Sequence, residues 1–176
     1  MRHAETVFTP VAVAVLTVSG KHTLASDSAG QWLAEAVTAA GHQLAERQLV
    51  GENLYAIRAQ LSAWILSADV NAVLINGGTG LTERDLTPEA VRPLLDKEVP
   101  GFGELFCQLS FAEIGSSALQ SRALAGVANR TVIFCLPGSP SGCRTAWPLI
   151  ASQLDGRTRP CSFVPHIGQR ASGGCA

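Results

Sequence analysis

Residues 11–18, VAVAVLTV, form an unbroken run of small and β-branched apolar side chains in which only Thr17 carries a polar atom. A strand with one face in water would alternate apolar and polar residues. This run does not, so it reads as a strand covered on both faces, as in the interior of a parallel sheet. Parallel partners are joined by crossovers of a dozen or more residues, usually helical. The segment therefore calls for helices above and below it. Its rivals are weaker. Eight residues fall short of the roughly 20 a membrane-spanning helix needs. A signal peptide is opposed by Glu5 and Pro10 before the run and by the lack of a small-residue cleavage site after it.

The rest of the chain supplies the crossovers. Residues 28–40 place Trp32, Leu33, Ala36, Val37 and Ala40 on one helical stripe, with Ser28 and Gln31 as a capping box and Gly41 as the stop. Residues 43–50 read as a second, less buried strand. A helix with Asn53 as N-cap then carries Ile57, Leu61, Trp64 and Ile65. A short strand over 72–75 runs into Gly77-Gly78-Thr79-Gly80, and Thr87-Pro88-Glu89 opens a helix with Thr87 as its cap. After Pro100 a short helix bears Phe102, Leu105, Phe106 and Leu109. Residues 131–136 form another buried strand, and Cys143 to Leu154 a last helix that Pro148 should kink or displace. Strands alternating with helices predict a three-layer α/β/α fold with a mostly parallel sheet. The expected organisation is an N-terminal extension over 1–10, one domain over 11–167 and a flexible tail over 168–176.

In such a sheet ligands bind beyond the carboxyl ends of the strands, where the strand order reverses. The loops that follow the strands should meet there: Ser19-Gly20-Lys21-His22-Thr23 leading to Asp27, Gly51-Glu52-Asn53, the Gly77 to Gly80 turn leading to Arg84 and Asp85, and Pro137-Gly138-Ser139-Pro140. Successive glycines let backbone N–H groups form an anion nest. Asp85 and Glu52 are candidate Mg²⁺ ligands, because Mg²⁺ takes one or two carboxylates together with substrate phosphates. Each also has a plain structural reading, Asp85 as a loop or capping residue and Glu52 as a solvated acid. The four histidines lack metal-ligand spacing, and the tryptophans fall on apolar helix stripes. Ser121-Arg122 has two readings, a phosphate contact and, favoured, an ordinary helix-end pair.

Composition narrows the function. With 13 basic and 14 acidic residues the chain lacks the basic face of a nucleic-acid binder. Charged residues make up 15% against roughly 25% in typical soluble domains, which points to apolar surface covered in a homo-oligomer. Five cysteines without a C-x-x-C pair read as reduced thiols in a cytoplasmic chain.

Taken in order, INGGTGLTERDLTPEAVRPLLDKEVPGFGELF, LSFAEIG, LQSRALAGVANRT and FCLPGSP closely resemble the MoaB/MogA family of molybdenum cofactor biosynthesis proteins, and GENLYAIRAQLSAWI and RTRPCSFVPHI resemble its MoaB branch. The resemblance spans roughly residues 11–167. It implies a trimer or a pair of trimers that binds molybdopterin at the strand ends and, in active members, uses Mg²⁺ and ATP to adenylylate its terminal phosphate. It further implies that Asp85 is the metal-binding acid, that Gly77, Gly78, Thr79 and Gly80 form the nucleotide loop, and that Ser19 with Pro137, Gly138, Ser139 and Pro140 forms the substrate edge. Three positions depart from the pattern. Gly51-Glu52 stands where Pro-Asp is common, Ser19-Gly20-Lys21 where Ser-Asp-Arg or Ser-Asp-Thr is common, and Asn76 where Thr is usual. A molybdopterin adenylyltransferase and a non-catalytic molybdopterin carrier are thus both compatible with the sequence. A dinucleotide-dependent oxidoreductase is disfavoured, since SGKHT and not G-x-G-x-x-G follows the first strand.

Overall fold

In a computed structural model, which describes residues 7–168, six strands form one sheet in the order β2-β1-β3-β6-β5-β4. They are β1 (Ala12–Val18), β2 (Gln43–Val50), β3 (Ala72–Asn76), β4 (Lys97–Glu98), β5 (Leu124–Ala128) and β6 (Thr131–Leu136). The helices are α1 (Ser28–Ala39), α2 (Leu54–Leu66), α3 (Thr87–Val91), α4 (Pro100–Ile114) and α5 (Pro140–Leu154). Strands β2, β1, β3 and β6 run parallel, so their carboxyl ends share one edge. From β1 the chain winds outward to β2, then returns to lay β3 on the other side of β1. The reversal leaves a crevice between the ends of β1 and β3.

The apolar run of β1 is buried because both its faces are covered. Val13 and Val15 pack toward Leu33 and Val37 of α1, Phe102 and Phe106 of α4, and Ala146 and Ile150 of α5. Ala14, Leu16 and Val18 face the opposite layer, where Ile57, Leu61 and Trp64 of α2 and Ala90 and Val91 of α3 complete a second core. The expected three layers are therefore present. Residues 1–6 and 169–176 lie outside the described residues, and with them most of the expected extension and tail, and Cys175.

Several elements differ in detail from the sequence reading. Helix α1 is capped by Asp27, whose Oδ1 accepts from Gly30 N at 2.9 Å; Ser28 is its first residue. Thr87 does not cap α3 but is buried and donates from Oγ1 to Gly77 O at 2.7 Å. Helix α4 is long, 15 residues, and only Phe102 and Phe106 of its expected stripe are buried, while Leu105 and Leu109 remain exposed. Pro148 lies inside α5, which runs unbroken from Pro140; a start eight residues earlier gives it two turns before the missing N–H falls. Strands β4 and β5 had no forecast. Leu124–Ala128 is Ala- and Gly-rich, and Gly126 packs under the Leu95 side chain. On the far side of the sheet, β2 bulges at Ala45, where its register with β1 shifts.

Strands β5 and β6 are antiparallel and joined by Asn129 and Arg130, with φ of 48° and 67°. Two left-handed residues in a two-residue loop are what a type I′ hairpin requires, and Asn-Gly is the pair it favours. Replacing Arg130 by Gly should raise the urea-unfolding free energy by about 0.5 kcal/mol, a left-handed cost of about 1–2 kcal/mol less the extra chain entropy of glycine. No gain would mean that the Arg130 Nε bond to Gly168 O, at 3.1 Å, offsets the backbone strain.

Candidate functional site

Three chain segments meet at the carboxyl edge with almost no side chain between them. Gly77, at φ 96°, lies so close to β1 that a Cβ there would stand 2.3 Å from Val18 O. Gly78, at φ 65°, is equally tight against Thr87 Oγ1, at 2.4 Å. A larger residue at Gly77 would displace the end of β1, and one at Gly78 would displace the Thr87 side chain. The loop is then tied on both sides, by Gly77 N donating to Leu136 O at 3.1 Å and Thr87 N to Gly78 O at 2.9 Å. The Gly138 backbone packs against Gly77. Ser139 caps α5 by accepting from Gly142 N at 3.1 Å. Together these segments floor a cleft of about 780 Å³, walled on the far side by the end of α4 and the 3₁₀ stretch Gly115–Gln120.

Asp85 stands beside this loop as an organised carboxylate. Its Oδ2 accepts from Thr82 N at 2.9 Å and Thr82 Oγ1 at 2.5 Å, and the carboxyl lies over Gly80. The Thr82 hydroxyl chiefly, helped by backbone N–H groups and the charge of Arg122, holds it below the usual aspartate range. Arg122 fixes the loop from outside. Its guanidinium donates to Thr79 O at 3.4 Å and Asp85 O at 2.7 Å and pairs with Glu89. Ser121-Arg122 is more than the ordinary helix-end pair favoured by its sequence. In the fold Ser121 lines the cleft and Arg122 is the strut of the glycine loop.

Beneath the floor lies a polar network. Thr17 Oγ1 is 2.5 Å from Asp27 Oδ2 and 3.0 Å from Asn76 Oδ1, and Arg47 Nη2 reaches Asp27 Oδ2 at 3.0 Å and Asp27 O at 2.9 Å. Burial alone would raise the Asp27 pKa. Hydrogen bonds from Thr17 and Gly30 and the Arg47 charge more than offset it, and the carboxyl titrates below its ordinary value. Thr17 has a single proton, which the carboxylate takes, so Asn76 cannot satisfy its whole amide within the network. Asn76 Nδ2 has no partner among the described residues although the residue is fully buried at the cleft floor.

Of the residues singled out in the sequence, Ser19, Gly77, Gly78, Thr79, Gly80, Asp85, Pro137, Gly138, Ser139 and Pro140 all line this one cleft, as does His22. Glu52 does not. Its carboxylate lies against Gly20, 3.1 Å from where a Cβ would stand, outside the lining. No three His, Cys, Asp or Glu groups converge among the described residues. A Mg²⁺ ion here fits as a partner of Asp85 and of ligand oxygens, the donor set such ions use with phosphates. Cys143, just behind the Pro137–Pro140 turn, is buried, which pushes its thiol up to about 12. The sequence reading passed over Glu113 of α4, which lines the cleft and accepts from Thr145 Oγ1 of α5 at 2.7 Å. Nothing in its local sequence signals this, because the pairing spans 32 residues.

A doubly wound sheet with a glycine nest and an ionised aspartate at its switch point defines an α/β protein that takes an anionic ligand at the strand ends. Residues 14–156 match the family described as "Probable molybdopterin binding domain", and the chain belongs to that family. It is 57% identical to molybdenum cofactor biosynthesis protein B of Escherichia coli K12 over 168 residues, 95% of this chain and 99% of that protein. Identity to the Bacillus cereus protein of the same name is 45% over 133 residues, 75% of this chain and 79% of the relative. Among solved structures, one of molybdenum cofactor biosynthesis protein B superposes with a TM-score of 0.81 at 43% identity, covering 83% of this chain and 92% of the other. The Pyrococcus furiosus tungsten cofactor synthesizing protein MoaB follows at 0.74 and 31%, covering 82% and 92%.

The network below the floor makes a testable claim about acid stability. Because the folded Asp27 pKa is depressed, its contribution is complete above the unfolded value near 4 and is lost as pH falls through the folded one. Asp27→Asn should cost about 2 kcal/mol at pH 7 by removing the charge opposite Arg47, which keeps Gln31 Oε1, Leu24 O and Asp27 O as acceptors, and should flatten the acid limb of the stability curve. Denaturant titrations from pH 7 to pH 3 would show both, and an unchanged acid limb would remove Asp27 as its source.

Proposed function

We propose that the protein binds molybdopterin in this cleft and transfers an adenylyl group from Mg-ATP to its terminal phosphate. A phosphate oxygen of molybdopterin attacks the α-phosphorus of ATP, the bond to the β-phosphate oxygen breaks, and pyrophosphate leaves. The observation that carries this reading is the Gly77 to Gly80 nest with the ionised Asp85 beside it, in a chain of the molybdopterin-binding family. Backbone N–H groups of Gly78 and Thr79 hold phosphate oxygens, and Arg122 steadies the loop by fixing the Thr79 and Asp85 carbonyls. Ser19 and the Pro137 to Pro140 turn orient the second phosphate, so that the reacting groups are held in line. Asp85 is the residue that would hold Mg²⁺, which when bound neutralises charge on the pyrophosphate.

One observation favours a second reading. Glu52 lies against Gly20, outside the cleft lining that includes Asp85. That arrangement suits a molybdopterin carrier that binds without turnover. Pyrophosphate release from Mg-ATP, measured with and without molybdopterin, decides between them. The enzyme reading expects molybdopterin-dependent release that Asp85→Asn lowers by about a hundredfold, with Glu52→Gln much milder. Tight molybdopterin binding with no release would favour the carrier.

We also propose a homo-oligomer in the cytoplasm, where the thiols stay reduced. No helix among the described residues is long and apolar enough to cross a membrane. Leu105, Leu109 and Phe111 of α4 and Leu119 just beyond it are all exposed outside the cleft, and exposed apolar side chains of this size call for a cover. Analytical ultracentrifugation at micromolar concentration should show a trimer or a pair of trimers, and Phe111→Glu should shift it toward monomer. A monomer throughout would refute the oligomer.

A further inference from the structure

The α4 wall of the cleft carries a carboxylate that neither the phosphate nest nor the metal reading uses. Glu113 stands in the last turn of α4, where the helix dipole disfavours a negative charge. No cation pairs with it among the described residues. The nearest basic residue along α5, Arg144, is turned away over the Trp32 ring at 5.6 Å. Its contact among the described residues is the Thr145 hydroxyl, whose one proton goes to Oε2 at 2.7 Å in preference to Ser141 O at 3.1 Å and leaves Oε1 and the second lone pair of Oε2 free. Beside it, Ile114 lines the same cleft with an exposed apolar side chain. An unneutralised carboxylate fixed by a hydroxyl next to an apolar surface suits a flat ring with two adjacent N–H donors on one edge.

We propose that Glu113, held by Thr145, recognises the N3–H and 2-amino edge of the pterin ring, and so fixes which end of the cleft takes the pterin and which takes the nucleotide. This rests on the molybdopterin-binding reading above. A 2-amino-4-oxopteridine presents two parallel donors that a carboxylate accepts together, the geometry of a bidentate, charge-assisted pair. Adenine offers no such pair, since its amino group adjoins a ring nitrogen that is an acceptor. Glu113 therefore selects the pterin and leaves ATP to the glycine nest. The ring lies along Ile114 with its phosphate arm directed toward Ser139 and Gly77.

Glu113→Gln is the decisive variant, because its amide oxygen still accepts from Thr145 and preserves the link between α4 and α5. Anaerobic molybdopterin titrations of wild type and variant are read beside thermal shifts with Mg-ATP. The stable probes pterin and lumazine, the latter with a carbonyl in place of the 2-amino group, report on the edge itself. The expected result is a loss of molybdopterin affinity of about tenfold or more, the disappearance of the preference for pterin over lumazine, and an unchanged Mg-ATP shift. Equal molybdopterin affinity in both proteins, or a pterin preference that survives in Glu113→Gln, overturns the role of Glu113 and leaves the proposed function standing. Failure of wild type to bind molybdopterin at all overturns both, and is seen in the first titration.

Discussion

The contact between the end of β3 and the end of β1 governs the rest of the molecule. Gly77 rests on the carbonyl of Val18 at a distance that excludes any Cβ, and Gly78 is seated against the Thr87 hydroxyl. Gly77 N–H is spent on Leu136 O, and the loop it anchors lines the cleft largely with backbone. The same closeness sets where α3 begins, since Thr87 is consumed in holding Gly77 and cannot cap. Parallel strand order creates the crevice, and glycine makes its floor thin enough to present backbone to a ligand.

Two aspartates near this floor are kept ionised for different ends. Asp27 is buried and spends its charge inside the fold, on Arg47, Thr17 and the first turn of α1. Asp85 is engaged mainly by Thr82 and faces the cleft. The first is a structural joint between β1, β2 and α1. The second is available to a ligand. Asn76 lies at the cleft floor with a buried amide nitrogen that the network beneath it leaves unpaired. Thr, the usual occupant in the family that the sequence resembles, would bring one hydroxyl and no surplus donor.

Much of this was legible in the sequence because it rests on local rules. The continuous apolar run of β1 predicted burial on both faces, the Asn53 cap predicted the start of α2, and the loop after each parallel strand was bound to reach one edge. What escaped depended on contacts distant in the chain. Strand β5, with its Ala and Gly, has weak strand propensity and exists by pairing with β6 through a hairpin. The Ser28 capping box was a plausible pattern one residue out of register, because Asp27 reaches both Gly30 and Arg47. Glu52 followed the chain order of strand-end loops to the expected edge, but its side chain turned toward the space left by Gly20. The strut role of Arg122 needed the 3₁₀ stretch to bring it beneath Thr79 and Asp85.

The two outer strands carry a consequence for how copies of the chain can meet. At one border β4 is two residues long, and both Lys97 and Glu98 are charged and exposed. At the other, β2 is interrupted by the bulge at Ala45 and followed by Glu46, engaged with Trp64 and Gln48, and Arg47, drawn inward to Asp27. Neither border offers the long, flat, apolar row of free backbone groups on which a foreign strand could continue the ladder. Sheet-to-sheet growth is closed at both margins, so a chain this poor in charge is protected from fibril-like stacking and left free to associate through its helices.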